Sequence, residues 1–380
     1  MNPGLAPNYT HNFDSVKVMW FQRSNNYLIL DENNIFLIDK FLESADYNHF
    51  HNLITKDTSY SHRDSLELFS DIESILISVN SVEDIEDNLV NKDINILNAD
   101  KSYVSKIYNF NGTNIKINYQ TTCEQDYIHP QFAHLTKNNS NIIPDCEFHV
   151  ITFDNHLYLF KNSSYLGDFK KRDYHLLQGK FAIELICALT NTKESDWLAT
   201  FHASAIGNKS EAIMLIGESG KGKSTLATIL MNHGFDLLTD DFTPMLAKSQ
   251  QIHPYPSAIS IKKNAFTLTD SIINPEEYKT FESPNSKKGT IRYINPNNLN
   301  IKPLPCSKIL LVNYQKDSHS SLDNLDIKKV LEILIPDSWI SPFPQHSKSF
   351  MNWLEDCTFY KLTYSDTNSA IALIETLLKP

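Results

Sequence analysis

No run of about 18 consecutive apolar residues occurs anywhere in this 380-residue chain, which excludes a helix spanning a membrane. The five cysteines, Cys123, Cys146, Cys187, Cys306 and Cys357, are scattered, with no close pair and no histidine at metal-ligand spacing. That excludes a disulfide framework or a zinc site and predicts a reducing compartment. Basic excess is also missing: 34 Lys and Arg stand against 45 Asp and Glu, a formal net charge of -11. No nucleic-acid partner and no anionic membrane surface is expected of such a chain. The start, Met1-Asn2-Pro3-Gly4, is neither basic nor followed by a long apolar run, so it does not read as a signal peptide. A cytoplasmic location is expected. Internal repeats are absent, and glycine is scarce, with ten in the chain.

Apolar residues make up 41% and charged residues 21%, enough for a packed core, and the length predicts more than one domain. Residues 16–21 and 27–30 are short apolar runs around the polar Arg23-Ser24-Asn25-Asn26, a hairpin pattern. Residues 35–42 and 49–54 follow with helix-like faces. Leu66, Phe69, Ile72, Leu76 and Val79 then recur at helical spacing. Together they predict a small α+β domain over 1–100. It closes in a polar stretch, 80–100, where Glu83, Asp84, Glu86 and Asp87 predict a solvated helix or linker. A larger α/β domain is predicted over 101–380. Residues 115–119 alternate as a strand, and 148–153 and 156–160 flank Asp154-Asn155 as a hairpin. Leu177, Phe181, Leu185 and Leu189 share one stripe of a helix over 174–189.

Three of the ten glycines fall within six residues. An uncharged apolar strand over 212–216 runs into Gly217-Glu218-Ser219-Gly220-Lys221-Gly222-Lys223-Ser224-Thr225, and a helical stretch over 226–233 ends at Gly234. Strand, glycine-rich loop and helix is the setting that the P-loop pattern G-x-x-x-x-G-K-[ST] requires. The glycines let successive backbone N–H groups converge on phosphate oxygens. The helix N-terminus adds partial positive charge there. Lys223 is suited to the β- and γ-phosphates, Ser224 to Mg²⁺, and Ser219 to the terminal phosphate. ATP and Mg²⁺ are the expected cofactors.

A second predicted strand, 235–239, ends in Asp240-Asp241, about thirty residues after the first strand begins. Adjacent carboxylates on an extended strand point to opposite faces. Asp241 is expected to hold the metal with Ser224, and Asp240 to face the incoming nucleophile.

This short crossover ending in Asp-Asp resembles the HPr kinase and phosphoenolpyruvate carboxykinase type of P-loop fold, with its mixed sheet. His202, in Phe201-His202-Ala203-Ser204-Ala205, lies at the spacing from Lys223 at which HPr kinases carry a histidine. The resemblance implies an active-site role for it, beside the bland reading of a structural histidine. The run Ile252-His253-Pro254-Tyr255-Pro256-Ser257-Ala258-Ile259-Ser260-Ile261-Lys262 resembles a segment of HPr-kinase-related proteins of modified-peptide biosynthesis, some of which phosphorylate a peptide serine. In that family reading Arg292 supplies a cation to the transferred phosphoryl group; a plain surface arginine is the alternative. The C-terminal signature of bifunctional HPr kinase/phosphorylases is not found, nor the substrate motif of the carboxykinases. Residues 27–37 resemble a PqqD-like domain, a small winged-helix fold that takes a leader peptide as an added strand. A plain α+β cap is the competing reading.

The resemblance implies a serine kinase that moves the γ-phosphoryl group of ATP to a Ser or Thr hydroxyl of a peptide or small protein. In it Lys223, His202, Arg292 and the base Asp240 are catalytic. It also implies a homo-oligomer, since HPr kinases assemble into rings. A nucleotide-dependent binding or regulatory protein and a small-molecule kinase remain open beside it.

Overall fold

The computed structural model describes residues 4–82, 97, 102–138, 142–283 and 289–378. Glu83, Asp84, Glu86 and Asp87 lie outside the described residues. The architecture is mixed α/β, with several sheets and, among the described residues, ten α-helices. No helix of the described residues is long and apolar enough to cross a membrane.

The chain divides into two compact units. The first comprises Met1–Asn88 together with Asn324–Phe359. Its sheet is an antiparallel meander of Tyr9–Asn12, Val16–Phe21 and Asn26–Asp31. The hairpin is in register from Val16 opposite Asp31 to Phe21 opposite Asn26. Asn25 adopts a left-handed φ of 56° in the turn and accepts a 2.9 Å hydrogen bond from the Trp20 indole. Asp31 ends the hairpin and caps helix Glu32–Glu43 by accepting from the Asn34 N–H. Helices Tyr47–Ile54 and His62–Asn80 follow, and Met19, Phe21, Phe41, Phe50, Ile72 and Leu76 meet in one core. Leu66 departs from its predicted stripe and is exposed. Ser65 faces inward in its place, bonded to the Ser61 carbonyl and to His51 Nδ1. Segment 324–359, expected in the larger domain, brings two further helices, Ile327–Leu334 and Pro344–Glu355, into this unit.

The second unit comprises Leu89–Asp323 and Tyr360–Pro380. Its mixed six-stranded sheet contains the predicted hairpin as Cys146–Phe153 and His156–Lys161. Asp154 and Asn155 both take positive φ, the geometry a two-residue hairpin turn demands. Helix Tyr174–Thr190 buries Leu177, Phe181 and Leu185.

The central sheet orders Asp236–Thr239, Ser204–Gly207, Ala212–Ile216 and Leu304–Tyr314 side by side. Ala212–Ile216 is parallel to Leu304–Tyr314 and antiparallel to Ser204–Gly207. All five residues of Ala212–Ile216 are buried, as expected of an uncharged run covered on both faces. A smaller antiparallel sheet, Ile259–Lys262, Thr290–Ile294 and Thr280–Glu282, completes the surroundings of the site.

Candidate functional site

Strand Ala212–Ile216 ends at Gly217, and helix Lys223–Asn232 begins after Gly222. Between them Gly217, Gly220 and Gly222 have φ of 144°, 87° and 102°, which residues with a Cβ rarely adopt. At Gly222 space is short as well: an added Cβ would lie 3.3 Å from the Tyr364 hydroxyl. Lys223 is buried, and its ammonium donates a 2.6 Å hydrogen bond to the Gly217 carbonyl across the loop. The loop is thereby closed on itself by the side chain expected to meet phosphate.

The loop borders a cavity of about 350 Å³. Ser219, Gly220, Gly222, Lys223, Ser224 and Thr225 line it from the loop side. His202 and Asp241 line it too, so the structure brings the predicted histidine and one predicted carboxylate to the same space. His202 sits between strands Trp197–Phe201 and Ser204–Gly207. Glu218 and Lys221 are exposed at the loop tip and do not line the cavity.

The two aspartates differ sharply. Ala205 pairs with Thr239 in the antiparallel register, which sets Ser204 beside Asp240. The Ser204 hydroxyl donates to Asp240 at 2.5 Å and the Ser260 N–H donates at 3.3 Å. The Ser224 hydroxyl bonds Asp240 as well. Asp240 is buried, and its pKa is pushed up to about 7, first by burial and then by the charge of Asp241, against the pull of these donors. Asp241 takes a left-handed φ of 62°, so the extended strand breaks between the two. Its side chain lines the open cavity while Asp240 stays behind. Ser224 and Asp241, the two groups expected to hold the metal, both line the cavity, and the Ser224 hydroxyl is bonded to Asp240.

Arg292 is not among the residues lining this cavity. It is buried on strand Thr290–Ile294, forms an ion pair with Asp270, and lies 4.1 Å over the Phe266 ring. Sequence reasoning missed Lys262. Ile259 and Ile261 are buried, Ser260 and Lys262 alternate with them, and Ser260, Ile261 and Lys262 all line the cavity. The Lys262 ammonium donates to the Ser219 hydroxyl at 3.1 Å, a second cation on the loop. The two-residue alternation of 259–262 was the signal that could have found it. The far wall is Asn264, Ala265 and Leu268, and Tyr314 and Tyr364 close the side nearest Gly222.

Among the described residues no cluster of three or more His, Cys, Asp or Glu could hold a metal ion alone. Ser224 with Asp240 is a two-group oxygen site, of the kind that suits Mg²⁺ arriving on phosphates.

No protein-family model matches the chain, and no curated protein matches it. Among solved structures it is similar to the HPr(Ser) kinase/phosphatase from Coxiella burnetii, at 15% identity, over 47% of this chain and 92% of that one, with a TM-score of 0.23.

Proposed function

We propose that this chain is an ATP- and Mg²⁺-dependent kinase that transfers the γ-phosphoryl group to an alcohol, with a peptide or protein Ser/Thr hydroxyl as the acceptor class. One observation carries the proposal: Lys223, Ser224 and Asp241 line a single cavity above a glycine-rich loop, with Asp240 bonded to Ser224 behind it. A site that only bound nucleotide would need the loop and its lysine. The carboxylate pair beyond them is the equipment of transfer.

In this reading the loop N–H groups and Lys223 take the phosphates. Lys223 exchanges its bond to the Gly217 carbonyl for phosphate oxygens, and Lys262 adds charge beside Ser219. Ser224 and Asp240 would hold the metal, which supplies charge neutralisation on the phosphoryl oxygens when bound. Asp241, open to the cavity, accepts the proton of the acceptor hydroxyl as its oxygen meets the γ-phosphorus in line. These two roles are exchanged relative to the sequence-based expectation, because burial and the Ser204, Ser224 and Ser260 donors occupy Asp240. Arg292 serves by position, through Asp270, and not on the phosphoryl group.

Lys223→Ala tests the reading. The variant is expected to lose Mg²⁺-ATP affinity by at least about tenfold, the scale of one lost charge-assisted hydrogen bond, as titrated with a fluorescent nucleotide. Unchanged affinity would remove the loop from the function. Steady ATP hydrolysis by the wild type with no phosphorylated acceptor in any extract would instead favour a nucleotide switch.

A further inference from the structure

A second, smaller cavity of about 70 Å³ opens on the other side of the carboxylate pair. Asp241 and Ser260 line both cavities, so the two meet at the side chain assigned the proton transfer. Asp240 borders the smaller one from within. Its other walls come from elements far apart in sequence. Gln131 lies in the last turn of helix Thr122–Phe132, where its backbone carbonyl accepts from the Ala258 N–H at 2.8 Å. Gln178, on helix Tyr174–Thr190, donates its amide to the Tyr127 carbonyl at 2.6 Å. Tyr174 is bonded to Ser283, and the Tyr293 phenol is pushed up to about 12 by burial and by the Asp241 charge.

Size and charge narrow what fits. Water occupies about 30 Å³ in the liquid, so the space admits about two waters' worth of atoms. That suits a short alkyl arm with one hydroxyl and is too small for a phenol ring. Three of the lining side chains are carboxylates, and with Asp240 given to the metal, Asp126 and Asp241 remain to set the field. Among the described residues the lining has no Lys, Arg or His. An anionic acceptor would enter against this field, and a cationic one with it.

We infer that this cavity receives the reacting arm of the acceptor, and that the acceptor is a short alkyl alcohol carried on a neutral or positively charged molecule. The inference rests on the kinase reading above. A serine hydroxymethyl group in a basic peptide and a free amino alcohol share this chemistry. The acceptor oxygen forms a bond to the γ-phosphorus as the bond from that phosphorus to the β,γ-bridging oxygen breaks. ADP leaves with the electron pair, and the hydroxyl proton passes to Asp241 and then to solvent.

The test uses the full chain with Mg²⁺-ATP and probes matched in size and opposed in charge. These are 2-aminoethanol against glycolate, Lys-flanked against Glu-flanked serine peptides, and a Lys-flanked tyrosine peptide. Phosphorylated product is read by mass spectrometry, and nucleotide binding is measured separately. The cationic alkyl alcohols are expected to be phosphorylated at least about tenfold faster than the anionic ones, with no product on tyrosine. Whether the free amino alcohol or the peptide reacts identifies the source. Asp126 is exposed at the cavity, so Asp126→Lys is expected to fold and to shift the cation-to-anion ratio about tenfold toward the anion. Equal rates for the two charges, a tyrosine product, or an Asp126→Lys ratio equal to wild type would overturn the inference. So would ATP that binds while no alcohol is phosphorylated, and the nucleotide site would then stand. Failure of the wild type to bind ATP would instead overturn the kinase reading and this inference with it.

Discussion

The Tyr364 hydroxyl is buried at the edge of the cavity above the glycine-rich loop with no hydrogen-bond partner among the described residues. Burial pushes its pKa well up, so it stands as a neutral donor. A buried hydroxyl without a partner costs about 1–3 kcal/mol of stability. Tyr364→Phe removes that cost at nearly constant volume, and the ligand-free protein is expected to gain about 1 kcal/mol in urea unfolding. A phosphate or ribose oxygen brought up to Gly222 would be within reach of the same hydroxyl, so the variant is also expected to bind Mg²⁺-ATP about five- to tenfold more weakly. The two effects have opposite signs, and no general loosening of the fold produces both. A stabilised variant with unchanged affinity would show that nucleotide does not use the hydroxyl.

Arg292 acts at the scale of an element. In the antiparallel pairing Ile261 faces Arg292, while Ser260 faces Tyr293 and Lys262 faces Ile291. Cross-strand partners share a face, so Tyr293 and Ile291 go with Ser260 and Lys262, and Arg292 goes with Ile261, yet of that last pair only Ile261 lines the larger cavity. Its guanidinium ties down Asp270 and Phe266, around the short helix Phe266–Thr269 whose Leu268 walls the larger cavity. Arg292→Gln is expected to cost about 1–2 kcal/mol, since the Asp270 side of the pair is partly solvated. It should raise KM for ATP more than it lowers kcat. A fall in kcat at saturating ATP with KM unchanged would return Arg292 to the transferred phosphoryl group. Strand, loop, helix, strand and Asp-Asp are local, set by glycine φ preferences and by an uncharged run, and they stand where the pattern placed them. That Lys262 lines the cavity and Arg292 does not was hidden because a strand's two faces are equivalent until its partner is known. Leu268 and the return of 324–359 to the first unit likewise depend on long-range packing that no window of sequence contains.

Across the whole molecule, the second unit keeps four histidines neutral by burial. His129, His134, His149 and His253 all have depressed pKa values, and His134 falls to about 4. Their neighbours pull in different directions. Lys106 reinforces burial at His129, while the Pro256 carbonyl opposes it at His134. At His149 the Glu147 charge opposes burial and Lys116 reinforces it. His253 packs edge-on against Trp197 at 5.1 Å. In each case burial is the largest cause. Between pH 6.5 and 4 an unfolded chain protonates these rings and the folded unit resists, so the unfolded state binds more protons and stability falls as pH falls. For His134 alone the loss approaches about 3 kcal/mol by pH 4, and the carboxylates with depressed pKa, such as Glu147 and Glu184, extend the decline below that. Urea unfolding at pH 7, 6 and 5 is expected to show a progressive drop that His134→Gln makes shallower, whatever that variant does to stability at pH 7. An unfolding free energy flat across this range in the wild type would mean that the rings reach water in the folded state.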